Sequence, residues 1–393
     1  MTRSDDLFWE TASIDYPIID ADAHVNEPPD LWQERVPSKY RDRAPKVLKT
    51  DAGDMWSFDD GKRVRPLGLT ATAGKNVVEF RPAGRTYEDI RPGSFDTRAR
   101  LEDMDLDGIY AQVLYPSVTL TGAATYADER ELQLSCVRAY NEWMLEFCEG
   151  SKGRLIPQAI IPTTGVKDAL AEMHWALDHG HRGAIVSAYP NGSLESSPED
   201  AAFWEDAAES ATPVSIHIGS FTPTTAGGRH PDYDSREFLA GAGATKAGWN
   251  AMGTTSDLLF SGIFEKHPTL RIVLVESNIG WIPTFLEQTD DMFRRYRFFS
   301  EALHEMKRMP SDIFFRQFYA TFMMDTVGID NRHRLNVDHL MFSTDYPHSG
   351  CDWPQTRGVI EKIFRGVPRS EVKQMLCDNA RSLYGLEALP ERV

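Results

Sequence analysis

Eight short apolar segments, separated mostly by helical stretches, constrain the fold of this chain more than any other feature. They lie at 18–22, 109–115, 155–161, 184–188, 214–218, 272–276, 318–322 and 340–345. Amphipathic patterns predict helices at 128–149, 166–179, 198–210, 246–266, 282–299, 354–364 and 370–384. Strands that alternate with helices indicate a parallel sheet, and eight of them are typical of a (β/α)8 barrel.

The length of the chain fits one such barrel with insertions. It has 393 residues, whereas a barrel of this type needs about 250. We predict a single α/β domain over 15–388, a distorted TIM barrel, with an inserted hairpin region after the first strand at about 30–94. Within that region Asp60-Gly61 is a strong hairpin signal. A second long excursion follows the fifth strand at 220–234.

Charge and cysteine content limit the partners and the compartment. A formal net charge of −17 repels phosphate backbones and anionic membrane surfaces, so we expect neither nucleic acid nor membrane as a partner. The four cysteines form no CxxC pair, which suits a reducing compartment. Because no signal-peptide pattern and no apolar run of about 20 residues is present, we expect a cytoplasmic protein.

Ionisable side chains end several of the predicted strands. Carboxyl ends of parallel strands meet at one mouth of a barrel, where catalytic groups lie. Residues two apart on a strand share a face, so the first strand would present its ionisable groups together. The residues at these strand ends are Asp20, Asp22, His24, His217, Glu276 and Asp345.

Each of these residues also has a purely structural explanation. A lone histidine such as His217 is more often a hydrogen-bonded core residue, Asp345 could cap a turn, and Glu276 could cap or pair with the next helix. Together, however, converging carboxylates repel one another unless a cation neutralises them. Histidines and carboxylates in this combination form a typical mixed nitrogen and oxygen site for a divalent metal.

The strand-end residues, with the ending Asn379-Ala380-Arg381-Ser382-Leu383-Tyr384-Gly385, resemble the amidohydrolase superfamily. More narrowly they are similar to its amidohydrolase-2 branch, which includes aminocarboxymuconate-semialdehyde decarboxylase and γ-resorcylate decarboxylase. The resemblance extends over about 18–386 and implies a homo-oligomer that acts on a small organic molecule. It also implies a metal-ligand set of Asp22, His24, His217 and Asp345, with Asp20 deeper in the barrel.

Two further residues are candidates for substrate binding. The resemblance places Arg65, in the hairpin, where the muconate-semialdehyde decarboxylase holds a substrate carboxylate; an ordinary solvent-exposed arginine is the alternative. His348 follows Asp345 by three residues and is the second candidate. His230, in the excursion after the fifth strand, is a weaker one.

Glu276 departs from the pattern of the branch. The decarboxylases commonly carry His-Gly-Gly at the end of the sixth strand, whereas this chain has Glu276-Ser277-Asn278. The departure favours hydrolysis of an ester, amide, lactone or thioester carbonyl, with Asp345 moving the proton of a water molecule. The alternatives are non-oxidative decarboxylation of an aromatic or unsaturated acid and, from another class, a metal-free binding barrel.

The sequence predicts the number and the identity of the metal ions only coarsely. We expect one or two divalent ions per chain, with Glu276 as a catalytic residue and as a ligand of the second ion; the alternative is that Glu276 stays protonated or salt-bridged and only shapes the pocket. Zinc is preferred, but manganese, iron and magnesium suit the same ligand types.

Overall fold

The computed structural model describes residues 6–81, 83–119, 122–221, 250–299 and 306–393, without the side chain of Leu69. Most of the predicted excursion at 220–234, together with His230 and the start of the predicted helix at 246–266, lies outside the described residues.

The strands follow the predicted order. Their bounds are β1 Ile19–Val25, β2 Lys46–Thr50, β3 Gly53–Phe58, β4 Arg63–Pro66, β5 Ala111–Pro116, β6 Leu155–Pro157, β7 Ala159–Ile160, β8 Ala184–Ile185, β9 Pro213–His217, β10 Arg271–Val275, β11 Phe318–Phe322 and β12 Leu340–Phe342. All the strands outside β2–β4 pair in parallel, in the orders β1-β5-β6 and β12-β11-β10-β9-β8-β7. Only Gln158 separates β6 from β7, so the two form one interrupted strand.

Backbone hydrogen bonds draw the two sheets into a distorted barrel. Arg182 N donates to Pro157 O at 2.9 Å, which continues the wall from β6 toward β8. At the other side, Asp345 N donates to Asp22 O at 2.9 Å and His24 N donates to Tyr346 O at 2.5 Å. The segment after β12 is thereby joined to β1. The predicted α/β barrel is confirmed, whereas a single domain over 15–388 stays a prediction.

The predicted hairpin region is an antiparallel sheet of β2, β3 and β4. Asp59, Asp60 and Gly61 all have positive φ in the turn between β3 and β4, a conformation that glycine adopts without strain. Trp56 of β3 is buried and packs edge-to-face on Trp32, with ring centroids 5.2 Å apart. These aromatic residues therefore join the insertion to the hydrophobic core of the barrel.

Helices surround the barrel. They span Leu31–Arg35, Thr97–Asp107, Arg130–Cys148, Val166–His179, Ala201–Glu209, Ile263–Lys266, Ile282–Tyr296, Pro310–Gln317, Thr326–Asp330, Thr356–Phe364, Arg369–Lys373 and Asn379–Leu383, with helical turns also at 250–259 and a π-helix at Gln374–Asp378. The predicted helix at 246–266 is interrupted near Gly262, which has a φ of 77°. Thr97–Asp107 was not predicted, because its many charged residues hide the helical period. In the described parts of the chain, no helix combines the length and apolar character needed to span a bilayer.

Candidate metal centre

The carboxyl ends of four barrel strands position the candidate site. Asp22 and His24 lie on β1, and His217 is the last residue of β9. Glu276 directly follows β10, and Asp345 lies three residues beyond β12. Side chains that are more than 300 residues apart in sequence are thereby brought to one mouth, as expected for a barrel.

A β-bulge sets the direction of the side chains on β1. Asp20 pairs with Gln112 and Ala23 with Leu114, so Ala21 and Asp22 together oppose one residue of β5. Bulges of this kind re-aim side chains and are common beside active sites. The simple alternation expected for the first strand is therefore broken between Asp20 and Ala23, a departure that the sequence pattern did not indicate.

The ring nitrogen of His24 lies at the centre of the cluster. His24 Nε2 is 3.1 Å from His217 Nε2, 3.3 Å from Asp22 Oδ1 and 3.3 Å from Asp345 Oδ1. His217 Nε2 is 3.7 Å from Asp22 Oδ1 and 3.7 Å from Glu276 Oε2. Asp22, His24, His217 and Asp345 are buried, and Glu276 is partly exposed. All five predicted metal-site residues thus lie together.

The backbone turns sharply at two of the acidic residues, directly after β10 and shortly after β12. Glu276 has a φ of 55° and Asp345 a φ of 59°. A left-handed conformation costs a non-glycine residue about 1–3 kcal/mol and is concentrated at functional sites. Glu276 N is held by Thr321 Oγ1 at 2.8 Å, a contact that stabilises the turn after β10.

His24 and His217 are each anchored through Nδ1 by a backbone carbonyl. His24 Nδ1 donates to Pro116 O at 2.9 Å, and His217 Nδ1 donates to Ile218 O at 3.2 Å. In the neutral rings, both Nε2 atoms then carry lone pairs, and they face each other. An anchored N–H with a free opposite nitrogen is the usual arrangement of metal-ligating histidines.

Several buried oxygens of the cluster have no hydrogen-bond donor among the described residues. They are both carboxylate oxygens of Asp22 and Oδ1 of Asp345. Unpaired buried oxygens are costly in a protein interior. Possible ligand atoms of Asp22, His24 and His217 lie within 4.8 Å of one another, and so do those of His24, Asp345 and His348. Nitrogens and oxygens thus meet around His24, so the residues present fit a divalent cation.

The pKa values of the acids reflect their crowding. Burial raises the pKa of Asp345 to about 8, opposed by His24 and reinforced by Asp22. Burial, followed by repulsion from Asp345, raises the pKa of Glu276 well above its usual range. Burial would raise the pKa of Asp22 as well, but contacts with His217 and His24 hold it below its usual range. Without a cation, the acids cannot all remain ionised.

The pKa values of the histidines at the site are shifted in opposite directions. Burial, followed by the charge of His217, lowers the pKa of His348 to about 3. Burial and then His348 lower the pKa of His24 to about 4. Burial would also lower the pKa of His217, but its contact with Asp22 outweighs this and raises the pKa to about 9. A neutral His24 is the form that can bind a metal ion.

Asp20 is occupied by structural hydrogen bonds. Its Oδ1 accepts from Thr344 N at 2.9 Å and its Oδ2 accepts from Thr344 Oγ1 at 2.5 Å. Oδ2 also accepts from Gln112 Nε2 at 3.0 Å. Asp20 therefore connects β1 to β5 and to the segment that carries Asp345.

The two predicted substrate-binding residues differ in position. His348 is buried at the cluster, with Nδ1 2.9 Å from Asp345 Oδ1. Arg65 lies on β4, paired with Trp56 of β3, and it is half-buried. Burial, followed by the charge of Arg63, lowers the pKa of Arg65.

Sequence reasoning missed residues that support the cluster. Ser117 follows β5 and its Oγ is 2.8 Å from His348 Nε2. Arg100 is fully buried and its Nη2 donates to the carbonyl of His24. The position of Ser117 at a strand end could have suggested it. Arg100 lies within a helix, and its sequence offers no such signal.

A barrel with histidines and carboxylates clustered at one mouth is typical of enzymes that bind a metal ion. The comparison with known families agrees with this classification. The amidohydrolase family model (Amidohydro_2) matches residues 19–386. The chain therefore belongs to this family and is an enzyme of the amidohydrolase superfamily.

Individual sequence relatives and solved structures show more specifically which proteins this chain is similar to. A γ-resorcylate decarboxylase from Rhizobium sp. (strain MTP-10005) is 26% identical over 308 residues, covering 74% of this chain and 87% of that protein. An amidohydrolase from Mycobacterium avium subsp. paratuberculosis K-10 is similar in structure, with a TM-score of 0.74, 18% identity and coverage of 95% and 100%. A 5-carboxyvanillate decarboxylase from Novosphingobium aromaticivorans DSM 12444, complexed with manganese and 4-hydroxy-3-methoxy-5-nitrobenzoic acid, has a TM-score of 0.68, 15% identity and coverage of 98% and 99%.

The prediction of carbonyl hydrolysis was wrong, because the curated sequence relatives of this chain are γ-resorcylate decarboxylases and its structural neighbours include further decarboxylases. The error came from giving Glu276 too much weight. Glu276 replaces a histidine at one strand end, but the other strand ends still supply the buried cluster around His24. One changed side chain was a poor guide to the reaction.

Proposed function

We propose that this enzyme is a divalent-metal-dependent, non-oxidative decarboxylase of an aromatic or unsaturated carboxylic acid. The observation that carries the proposal is the buried set Asp22, His24, His217 and Asp345, with its unpaired oxygens, in a chain whose relatives are decarboxylases. A small organic acid fits a site whose own carboxylates are neutralised by a cation.

The four residues would hold the ion through His24 Nε2, His217 Nε2 and oxygens of Asp22 and Asp345. When bound, the ion would supply positive charge that offsets the buried carboxylates and attracts the carboxylate of the substrate. The Novosphingobium relative is complexed with manganese, which makes manganese the first ion to test. Zinc, our first expectation, stays a prediction, as do the homo-oligomer and the cytoplasmic location.

Asp345 is the proposed proton donor. The bond between the carboxyl carbon and the carbon that carries it breaks, and its electron pair remains on that second carbon. The Asp345 O–H proton moves to that carbon, carbon dioxide leaves, and water returns a proton to Asp345. Decarboxylation of a carboxylate consumes one proton, so a buried acid at the reacting centre meets a requirement of the chemistry.

A panel of acids tests the reaction class. We expect release of carbon dioxide from hydroxybenzoates such as 2,6-dihydroxybenzoate or 5-carboxyvanillate, measured together with the decarboxylated product by chromatography. Esters and lactones of similar size are the controls, and they should remain intact. Hydrolysis of a control without carbon dioxide release from any acid would contradict the proposal.

Glu276 is proposed as a catalytic residue and as a ligand of a second ion. Its Oε2 lies 3.7 Å from His217 Nε2, close enough to share a centre with the histidine. In metal analysis, we expect near two ions per chain in the wild type and near one in Glu276→Ala. The control is Glu172→Ala, which removes a buried glutamate bound to Arg138 outside the cluster. One ion in both wild type and Glu276→Ala would assign Glu276 to the pocket wall.

A further inference from the structure

His348 shows the same pattern as the two anchored histidines of the cluster. Its Nε2 is held by Ser117 Oγ at 2.8 Å, while its Nδ1 faces Asp345. His24 and His217 are held through Nδ1 by backbone carbonyls and present Nε2. In all three rings one nitrogen is fixed by an oxygen and the other points toward the carboxylates, as in metal-ligating histidines.

The contact between His348 and Asp345 is close but is not a hydrogen bond. His348 Nδ1 lies 2.9 Å from Asp345 Oδ1, yet this oxygen has no hydrogen-bond donor among the described residues. The proton of the neutral ring is therefore placed on Nε2, where Ser117 Oγ accepts it. A nitrogen lone pair then stands beside a carboxylate oxygen, and a cation between them would make the contact favourable.

Ring stacking fixes the orientation of His348. Its ring lies 3.8 Å from that of His24, at an interplanar angle of 21°. Possible ligand atoms of His24, Asp345 and His348 all lie within 4.8 Å of one another, in a group distinct from that of Asp22, His24 and His217. The two groups share His24, so His348 extends the centre toward the strand end that carries Ser117.

We infer that His348 binds the metal centre through Nδ1, with Ser117 as the residue that positions its ring. This assigns His348 to the metal and replaces its predicted contact with substrate. The inference rests on the metal centre of the proposed function but not on decarboxylation. Ser117 does not touch the metal; it fixes the ring through Nε2.

Titration of manganese into metal-free full-length protein tests the inference without any substrate. We expect His348→Ala to weaken Mn²⁺ binding by about 100-fold or more, and Ser117→Ala by about 10-fold, since loss of an outer hydrogen-bond partner costs about 10–100-fold. Ser117→Thr keeps the hydroxyl and should restore most of the affinity. His181→Ala is the matched control, because His181 is equally buried but bonds Asn141 O outside the cluster; its Mn²⁺ affinity should equal that of the wild type.

Spectroscopy of the wild type provides a second measurement that requires no variant. In protein labelled with ¹⁵N-histidine and loaded with Mn²⁺, electron–nuclear double resonance should detect three coupled imidazole nitrogens. Two coupled nitrogens, or wild-type Mn²⁺ affinity in a folded His348→Ala protein, would overturn the inference. Absence of carbon dioxide release with all acids would remove the proposed reaction but leave the metal result standing, so the two failures are distinguishable.

Discussion

Removing the metal should abolish carbon dioxide release completely, and adding Mn²⁺ should restore it. The reason is electrostatic: Asp22, Asp345 and the substrate carboxylate cannot share a buried site without a cation. His217→Ala should lose both the bound metal and the activity, because it deletes a nitrogen 3.1 Å from His24 Nε2. Metal content by mass spectrometry and carbon dioxide release are measured on the same samples.

The control for His217→Ala is His339→Ala. His339 is half-buried and its Nδ1 donates to Phe318 O at 3.0 Å, beside the amino end of β11 rather than at the mouth. Its replacement should leave metal content and turnover unchanged. Full activity in chelator-treated, metal-free protein would contradict the whole interpretation of the cluster.

Asp345→Asn should reduce kcat by about 10²-fold or more while substrate binding persists. Asparagine keeps the shape and one oxygen of the side chain but cannot deliver a carboxyl proton, and general acid catalysis contributes about 10²–10⁴-fold. Steady-state kinetics give kcat, and calorimetry of the Mn²⁺-loaded variant gives substrate affinity.

A matched variant separates this effect from the loss of any buried carboxylate. Asp107 is buried and accepts from Thr356 N at 3.0 Å and from Thr356 Oγ1 at 2.6 Å. Asp107→Asn should lower thermal stability and leave kcat near the wild-type value. Wild-type kcat in Asp345→Asn would show that Asp345 is a structural residue of the turn after β12.

The fold could be predicted because its signal is local. Each barrel strand is a short apolar run and most helices show an amphipathic period, so every predicted strand has a counterpart in the structure. The hairpin was predicted for a similar reason, since Asp60-Gly61 supplies the positive φ that the turn requires. Helices without a clear apolar period, such as Thr97–Asp107, were missed.

The set of candidate residues could also be predicted, but its arrangement could not. Barrel geometry requires the strand ends to meet, which brings Asp22, His217 and Asp345 to one mouth. The sequence gives no sign of the bulge between Asp20 and Ala23, because a bulge depends on the pairing of β1 with β5. The reaction class was predicted wrongly from Glu276, since one side chain does not fix the chemistry of a shared site.

The sequence alone determined the barrel, the hairpin and the kinds of side chain at the strand ends, because periodicity and turn chemistry are properties of neighbouring residues. Only the tertiary structure decided which atoms face one another. The orientation of His348 depends on its contact with Ser117, which lies 231 residues away in sequence, and on stacking against His24. Such contacts depend on long-range register and packing, and no short stretch of sequence encodes them.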